Sequence, residues 1–123
     1  MKQVQDLLSV STRRRGHHNI TGEVSGWVDQ QAMQCGLLVA MVQHVRAALT
    51  IRENFDRDDL HAFFRTLEGD DSPAGDTAPL YATQLTIPVR NGRLALGARQ
   101  GVYLYEDRDS GQTRSVVLHL IGE

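Results

Sequence analysis

The apolar residues of this 123-residue chain change their spacing along its length, and each spacing predicts a different element. Residues 3–12 scatter short apolar groups among polar ones, as an edge strand does, and Arg13-Arg14-Arg15-Gly16 follows as a turn. Ile20, Val24, Trp27, Val28 and Gln31 then recur at helical intervals. Glu23 falls in the first turn, where the helix dipole favours an acid, so a helix is predicted from Ile20 to about Gln34, ended by Cys35-Gly36. Gly36 to Gln43 is a nearly unbroken apolar run, the pattern of a strand covered on both faces. From His44 to Glu53 the alternation is strict. His44, Arg46, Ala48, Thr50 and Arg52 fall on one face, and Val45, Ala47, Leu49 and Ile51 on the other.

A second helix is predicted from Asp56, an N-cap residue, with Asp59 in its first turn and Leu60, Phe63, Phe64 and Leu67 as its apolar stripe. Residues 68–76 are acidic and rich in turn formers, and read as an exposed loop. The last third is strand. Tyr81 to Val89 pairs back to Leu94-Ala95-Leu96 through Asn91-Gly92, a two-residue hairpin signal because both residues tolerate positive φ. Gly97 to Gly101 reads as a turn or bulge. Val102–Glu106 and Arg114–Ile121 are predicted to form another hairpin across Asp109-Ser110-Gly111.

Composition narrows this picture. The length fits one domain over residues 1–123, large enough to fold around a single core. A formal net charge of -2 gives no broad basic field for a nucleic-acid partner. The single cysteine, Cys35, excludes an internal disulfide framework and a paired-cysteine metal site, and reads as an inert, partly buried thiol. No apolar stretch approaches the roughly 20 residues of a membrane span. The basic cluster at residues 13–15 stands where a signal peptide would need its apolar region and cleavage site, so a cytoplasmic location is expected. The Asn19-Ile20-Thr21 sequon carries no meaning without secretion.

Four segments from Arg15 onward resemble one known family. Asn19-Ile20-Thr21 ahead of a helix is one. Gly36-Leu37 through His44, then Ala47 to Ile51 and Glu53-Asn54, is the second. Ile87-Pro88-Val89, Gly92-Arg93-Leu94, Leu96-Gly97 and Gln100 form the third, and Gly122-Glu123 the last. In order and spacing they are similar to the YjbQ family, sometimes described as secondary thiamine-phosphate synthases. The resemblance implies an α+β fold of two small, mainly antiparallel sheets, sandwich-like, with two helices. It also implies a homotrimer whose sheets pack around the threefold axis. Departures from the family pattern fall at Val45 and Arg46 in place of two hydroxyls, Arg52 in place of an asparagine, and Ala98-Arg99 in place of a Thr-Trp pair. A second family histidine has no counterpart here, since no histidine lies between His61 and His119.

The chemistry-bearing residues follow. His44 is the candidate acid, base or ligand, because imidazole titrates near neutrality. Glu53 and Asp59 are candidate partner carboxylates; Asp59 is equally explained by the helix dipole and Glu53 by solvation at a strand end. The resemblance keeps Gln100 beside them. Arg46, Arg52 and Arg99 suit bidentate capture of phosphate or carboxylate, or ion pairs across a subunit interface. No metal site is predicted. His17-His18 read as a solvated loop, and His61 and His119 have no partner at metal spacing. Two functions are therefore expected in competition. One is a small anionic or phosphorylated ligand bound around His44, Arg46, Arg52, Glu53, Arg99 and Gln100, with at most weak thiamine-phosphate-synthase-like activity. The other is a non-catalytic trimeric structural or interaction protein.

Overall fold

The computed structural model describes residues 1–53 and 82–123. The predicted second helix, Asp59 within it, and the acidic loop 68–76 lie outside the described residues. The elements in chain order are β1 (Lys2–Thr12), β2 (Gly16–Asn19), α1 (Thr21–Gln31), β3 (Cys35–Val42), β4 (Ala47–Glu53), β5 (Gln84–Arg90), β6 (Arg93–Leu94), β7 (Gln100–Glu106) and β8 (Gln112–Gly122). Among the described residues the fold is thus mostly antiparallel β, with two sheets and one helix.

The larger sheet has strand order β1-β8-β3-β5-β6, and the smaller β2-β7-β4. Period-two patterning decides how they meet. Leu38, Ala40 and Val42 of β3, Val116, Leu118 and Leu120 of β8, and Ile87 and Val89 of β5 are buried on one face of the larger sheet. They share a single core with Leu49 of β4, Val102 and Leu104 of β7, and Val24 and Val28 of α1. A compact sandwich results, with no helix among the described residues long and apolar enough to cross a membrane.

Several expectations hold. β1 is an edge strand, registered against β8 from Lys2↔Gly122 to Thr12↔Gln112. The Asn91-Gly92 turn has φ of 54° and 80°, the positive pair that a tight hairpin requires. Others are corrected. The helix stops at Gln31, where Ala32 takes a left-handed conformation and caps it, and Cys35 opens the next strand as an exposed thiol rather than a partly buried one. His17 and His18 belong to β2, not to a loop. β7 and β8 do not pair with each other. β7 already has β2 and β4 on its two edges and β8 has β1 and β3, so the Asp107–Gly111 connection carries the chain from one sheet to the other.

β3 corrects a further reading. Its apolar run is buried on one face only, while Leu37 and Met41 on the other are 39% and 49% exposed. β4 corrects another. Its alternation begins at Ala47, and His44, Val45 and Arg46 lie in the connection before it, with Val45 93% exposed.

Candidate functional site

The strand boundaries of β4 settle where the predicted site residues lie. Arg46 precedes the strand and Glu53 ends it, a separation of seven residues or about 23 Å in extended chain. His44 and Arg46 are therefore at one end of the smaller sheet, and Arg52, Glu53, Arg99 and Gln100 at the other. The shared face that would have joined His44 and Arg46 to Arg52 does not form.

At the far end, register places Glu53 opposite Gln100. Arg99 Nε lies 3.2 Å from Glu53 Oε1, with both side chains more than half exposed. Gln100 Oε1 accepts the Gly97 N–H at 2.7 Å, and the Gln100 N–H donates to the Gly97 carbonyl at 3.0 Å, so this side chain braces its own turn. Tyr103 Oη donates to the Glu53 carbonyl at 2.9 Å. Arg52 reaches across the outer face of the sheet. Its Nη1 lies 2.7 Å from Nδ1 and 2.9 Å from Nε2 of His17, whose ring packs 5.0 Å from that of Tyr105 and edge-on to Tyr103. His17 is a residue that sequence reasoning missed. Four residues of β2 are too few to show alternation, and only pairing with β7 reveals that His17 faces Tyr105.

At the near end, His44 Nδ1 accepts the Arg46 N–H at 3.0 Å. Burial, then the positive charges of Arg114 and Arg108, lower the His44 pKa below the ordinary histidine value, with Glu106 opposing them. The ring is accordingly neutral at pH 7. Arg46 Nε lies 3.4 Å from Asp107 Oδ2, and Asp107 N–H donates to the Arg46 carbonyl at 2.9 Å. Arg15 Nη2 lies 3.2 Å from Asp109 Oδ1. Arg15, Arg46, Asp107, Arg108, Asp109 and Ser110 line an open depression of about 400 Å³. Three separate connections build it, and that is why sequence reading, which placed Arg15, Asp109 and Ser110 in turns, named only Arg46 of them as a site residue.

Beneath this depression lies a buried network. Arg114 donates from Nε to Glu106 Oε1 at 2.8 Å and from Nη2 to Oε2 at 2.6 Å. Thr12 Oγ1 donates to Oε1 at 2.8 Å and the Arg108 N–H to Oε2 at 3.1 Å. Burial raises the Glu106 pKa, but these donors and the Arg114 charge outweigh it and hold the carboxyl below the usual range. Among the described residues no three His, Cys, Asp or Glu side chains come together as metal ligands.

The family model described as UPF0047 protein YjbQ-like matches residues 6–123. A UPF0047 protein of Synechocystis is 36% identical over 138 aligned positions, covering 99% of this chain and 94% of that protein. The UPF0047 protein YjbQ of Escherichia coli O157:H7 is also 36% identical, covering 97% and 98%. Among solved structures, a hypothetical protein of Aeropyrum pernix K1 superposes with a TM-score of 0.71 at 28% identity, covering 100% of both chains. A protein of unknown function from Sulfolobus solfataricus P2 gives 0.78 at 23% identity, covering 99% of both, a likeness of fold.

Proposed function

This chain belongs to the YjbQ-like UPF0047 family, and from that premise we propose that it is a non-catalytic member that works by self-assembly, as a homotrimer. One observation carries the reading. The outer face of the larger sheet presents three consecutive rows, Gln3-Ile121-Leu37-Pro88, Gln5-His119-Val39-Thr86 and Leu7-Val117-Met41-Gln84, with no Asp, Glu, Lys or Arg in any of them. In a chain that is 23% charged, a sheet face free of fixed charge with Leu7 54% and Met41 49% exposed has the character of an interface core. The apolar run of β3 then makes sense as a strand covered on both faces once a second subunit supplies the outer cover.

The catalytic alternative is the weaker one. His44 and Glu53 stand at opposite ends of β4, Glu53 is held by Arg99, and Gln100 is engaged with Gly97. The Synechocystis relative aligns over 138 positions against 123 residues here, so it carries residues that this chain lacks. That agrees with the missing second histidine of the family pattern.

Light scattering on the eluting protein tests assembly, and a mass of three chains is expected. Substituting Met41→Glu should shift it to one chain, because a buried carboxylate on each subunit would have no partner. A wild-type monomer at tens of micromolar sinks the proposal. A thiamine-phosphate formation assay tests the other half. Wild type, His44→Ala and Glu53→Ala should all match the protein-free blank, and a wild-type rate abolished by either substitution would restore the enzyme reading.

A further inference from the structure

The depression beside Arg46 is a place where charge does not balance. The connections that build it and the strand ends beside them, residues 13–15, residue 46 and residues 106–114, hold six arginines against three acids. Arg114 and Glu106 neutralise each other in the core. What remains at the surface is Arg13, Arg14, Arg15, Arg46 and Arg108 against Asp107 and Asp109, a cationic end on a chain whose formal net charge is -2. Arg108 has no ion pair, and its guanidinium has no hydrogen bond, among the described residues.

We propose that the Arg15-Arg46-Arg108 depression binds the phosphate group of a small phosphomonoester. Guanidiniums match phosphate geometry with paired donors, and the Ser110 hydroxyl at the rim adds another. The two aspartates do not occupy the arginines firmly. Their ion pairs measure 3.2 and 3.4 Å, longer than the roughly 2.7–2.9 Å of a strong charge-assisted bond, and the Arg15 and Arg46 side chains are 43% and 52% exposed. Exposed pairs of this kind hold weakly, so an incoming dianion re-aims both side chains at small cost.

The frame beneath them is fixed by contrast. Arg108 N–H is tied to Glu106 Oε2 and Asp107 N–H to the Arg46 carbonyl, so the backbone that carries the arginines is preorganised. Glu106 does not repel an anion, because its charge is spent on Arg114. The volume of about 400 Å³ accommodates a phosphate and a short organic body, and the open shape leaves that body in solvent. The site does not depend on catalysis or on the trimer, and it lies at the other end of β4 from Arg52 and Arg99.

The test is a backbone amide NMR titration of the full chain with glycerol phosphate, with inorganic phosphate, and with chloride at matched ionic strength. Glycerol phosphate should give saturable shifts at Arg46 and at residues 107–111, and chloride none that saturate. Arg108→Ala should weaken binding roughly tenfold, the loss of about one hydrogen bond to a charged group, with an unchanged melting temperature. Asp109→Asn should tighten binding, since it removes the acid paired with Arg15 Nη2 and leaves Arg15 only its Nε bond to the Asp107 carbonyl. A response to chloride equal to that of phosphate, an Arg108→Ala chain that binds as wild type, or shifts centred on Arg52 and Arg99 would each overturn the assignment. Saturation by inorganic phosphate with glycerol phosphate excluded would overturn the monoester.

Discussion

Glu106 has no solvent exposure, and its ionised form persists because Arg114, Thr12 and the Arg108 N–H surround both oxygens. Deleting the cation is therefore expected to cost more than the pair contributes. Arg114→Met should destabilise the chain by about 3–5 kcal/mol, measured by urea unfolding, because it strands a buried carboxylate. The same pair sets a pH dependence. Since the folded pKa of Glu106 is lowered, its stabilisation is complete above the unfolded value of 4.5 and disappears as pH falls through the folded one. A urea midpoint series from pH 6 downward should fall in wild type, and the loss in that acidic window should shrink in a Glu106→Gln, Arg114→Met double variant. His18 moves in the same sense. Burial lowers its pKa against the Gly16 carbonyl, and its Nε2 accepts the Arg13 N–H at 3.2 Å, so protonation below the ordinary value of 6.5 removes that acceptor. Neither group is legible in the sequence. Glu106 and Arg114 stand eight residues apart on strands of different sheets, and only the crossing of Asp107–Gly111 turns one toward the other.

Elements were legible where a local rule decides them and opaque where pairing does. Asn91-Gly92 announces its turn, because few other dipeptides take positive φ twice at low cost. The helix was visible from Val24 and Val28, and its true end at Ala32 was not, since an αL alanine leaves no sequence signal. The β7–β8 connection looks like a hairpin to any reading of turn residues, and the outcome was fixed instead by strands far away in sequence that already occupied both edges. His44 to Glu53 shows the consequence for the site. Alternation correctly ordered Ala47 to Glu53, but extending it three residues too far placed His44 and Arg46 on a face they do not share. Pairing also imposes a constraint no pattern reveals. Gly36 and Gly122 are partners in the β3–β8 ladder, and a Cβ on Gly36 would stand 2.5 Å from the Ile121 carbonyl oxygen. Gly122→Ala would press on the Cys35 carbonyl in the same way. This substitution should cost about 1–3 kcal/mol in a denaturant midpoint, with Gly22→Ala on open helix surface as the harmless control.

At the scale of the whole molecule the fold separates two kinds of surface, and salt should tell them apart. Arg15, Arg46, Arg52, Arg99 and Arg108 stand on the smaller sheet and its connections, while the outer face of the larger sheet carries three rows without fixed charge. Association over those rows is driven by apolar burial, with His119 bonded within its own face to Gln3 and Gln5. Raising sodium chloride from 50 mM to 500 mM shortens the Debye length from about 14 Å to about 4 Å and weakens any contact made through exposed ion pairs. Sulfate strengthens burial of apolar surface. Sedimentation equilibrium should therefore show an assembly that survives 500 mM sodium chloride and tightens in sodium sulfate, in wild type and in Arg46→Ala and Arg99→Ala alike. An assembly that dissociates in sodium chloride, or that is lost in either arginine variant, would place the interface on the cationic sheet instead. The arginines would then be subunit contacts, and the larger sheet would keep its uncovered face.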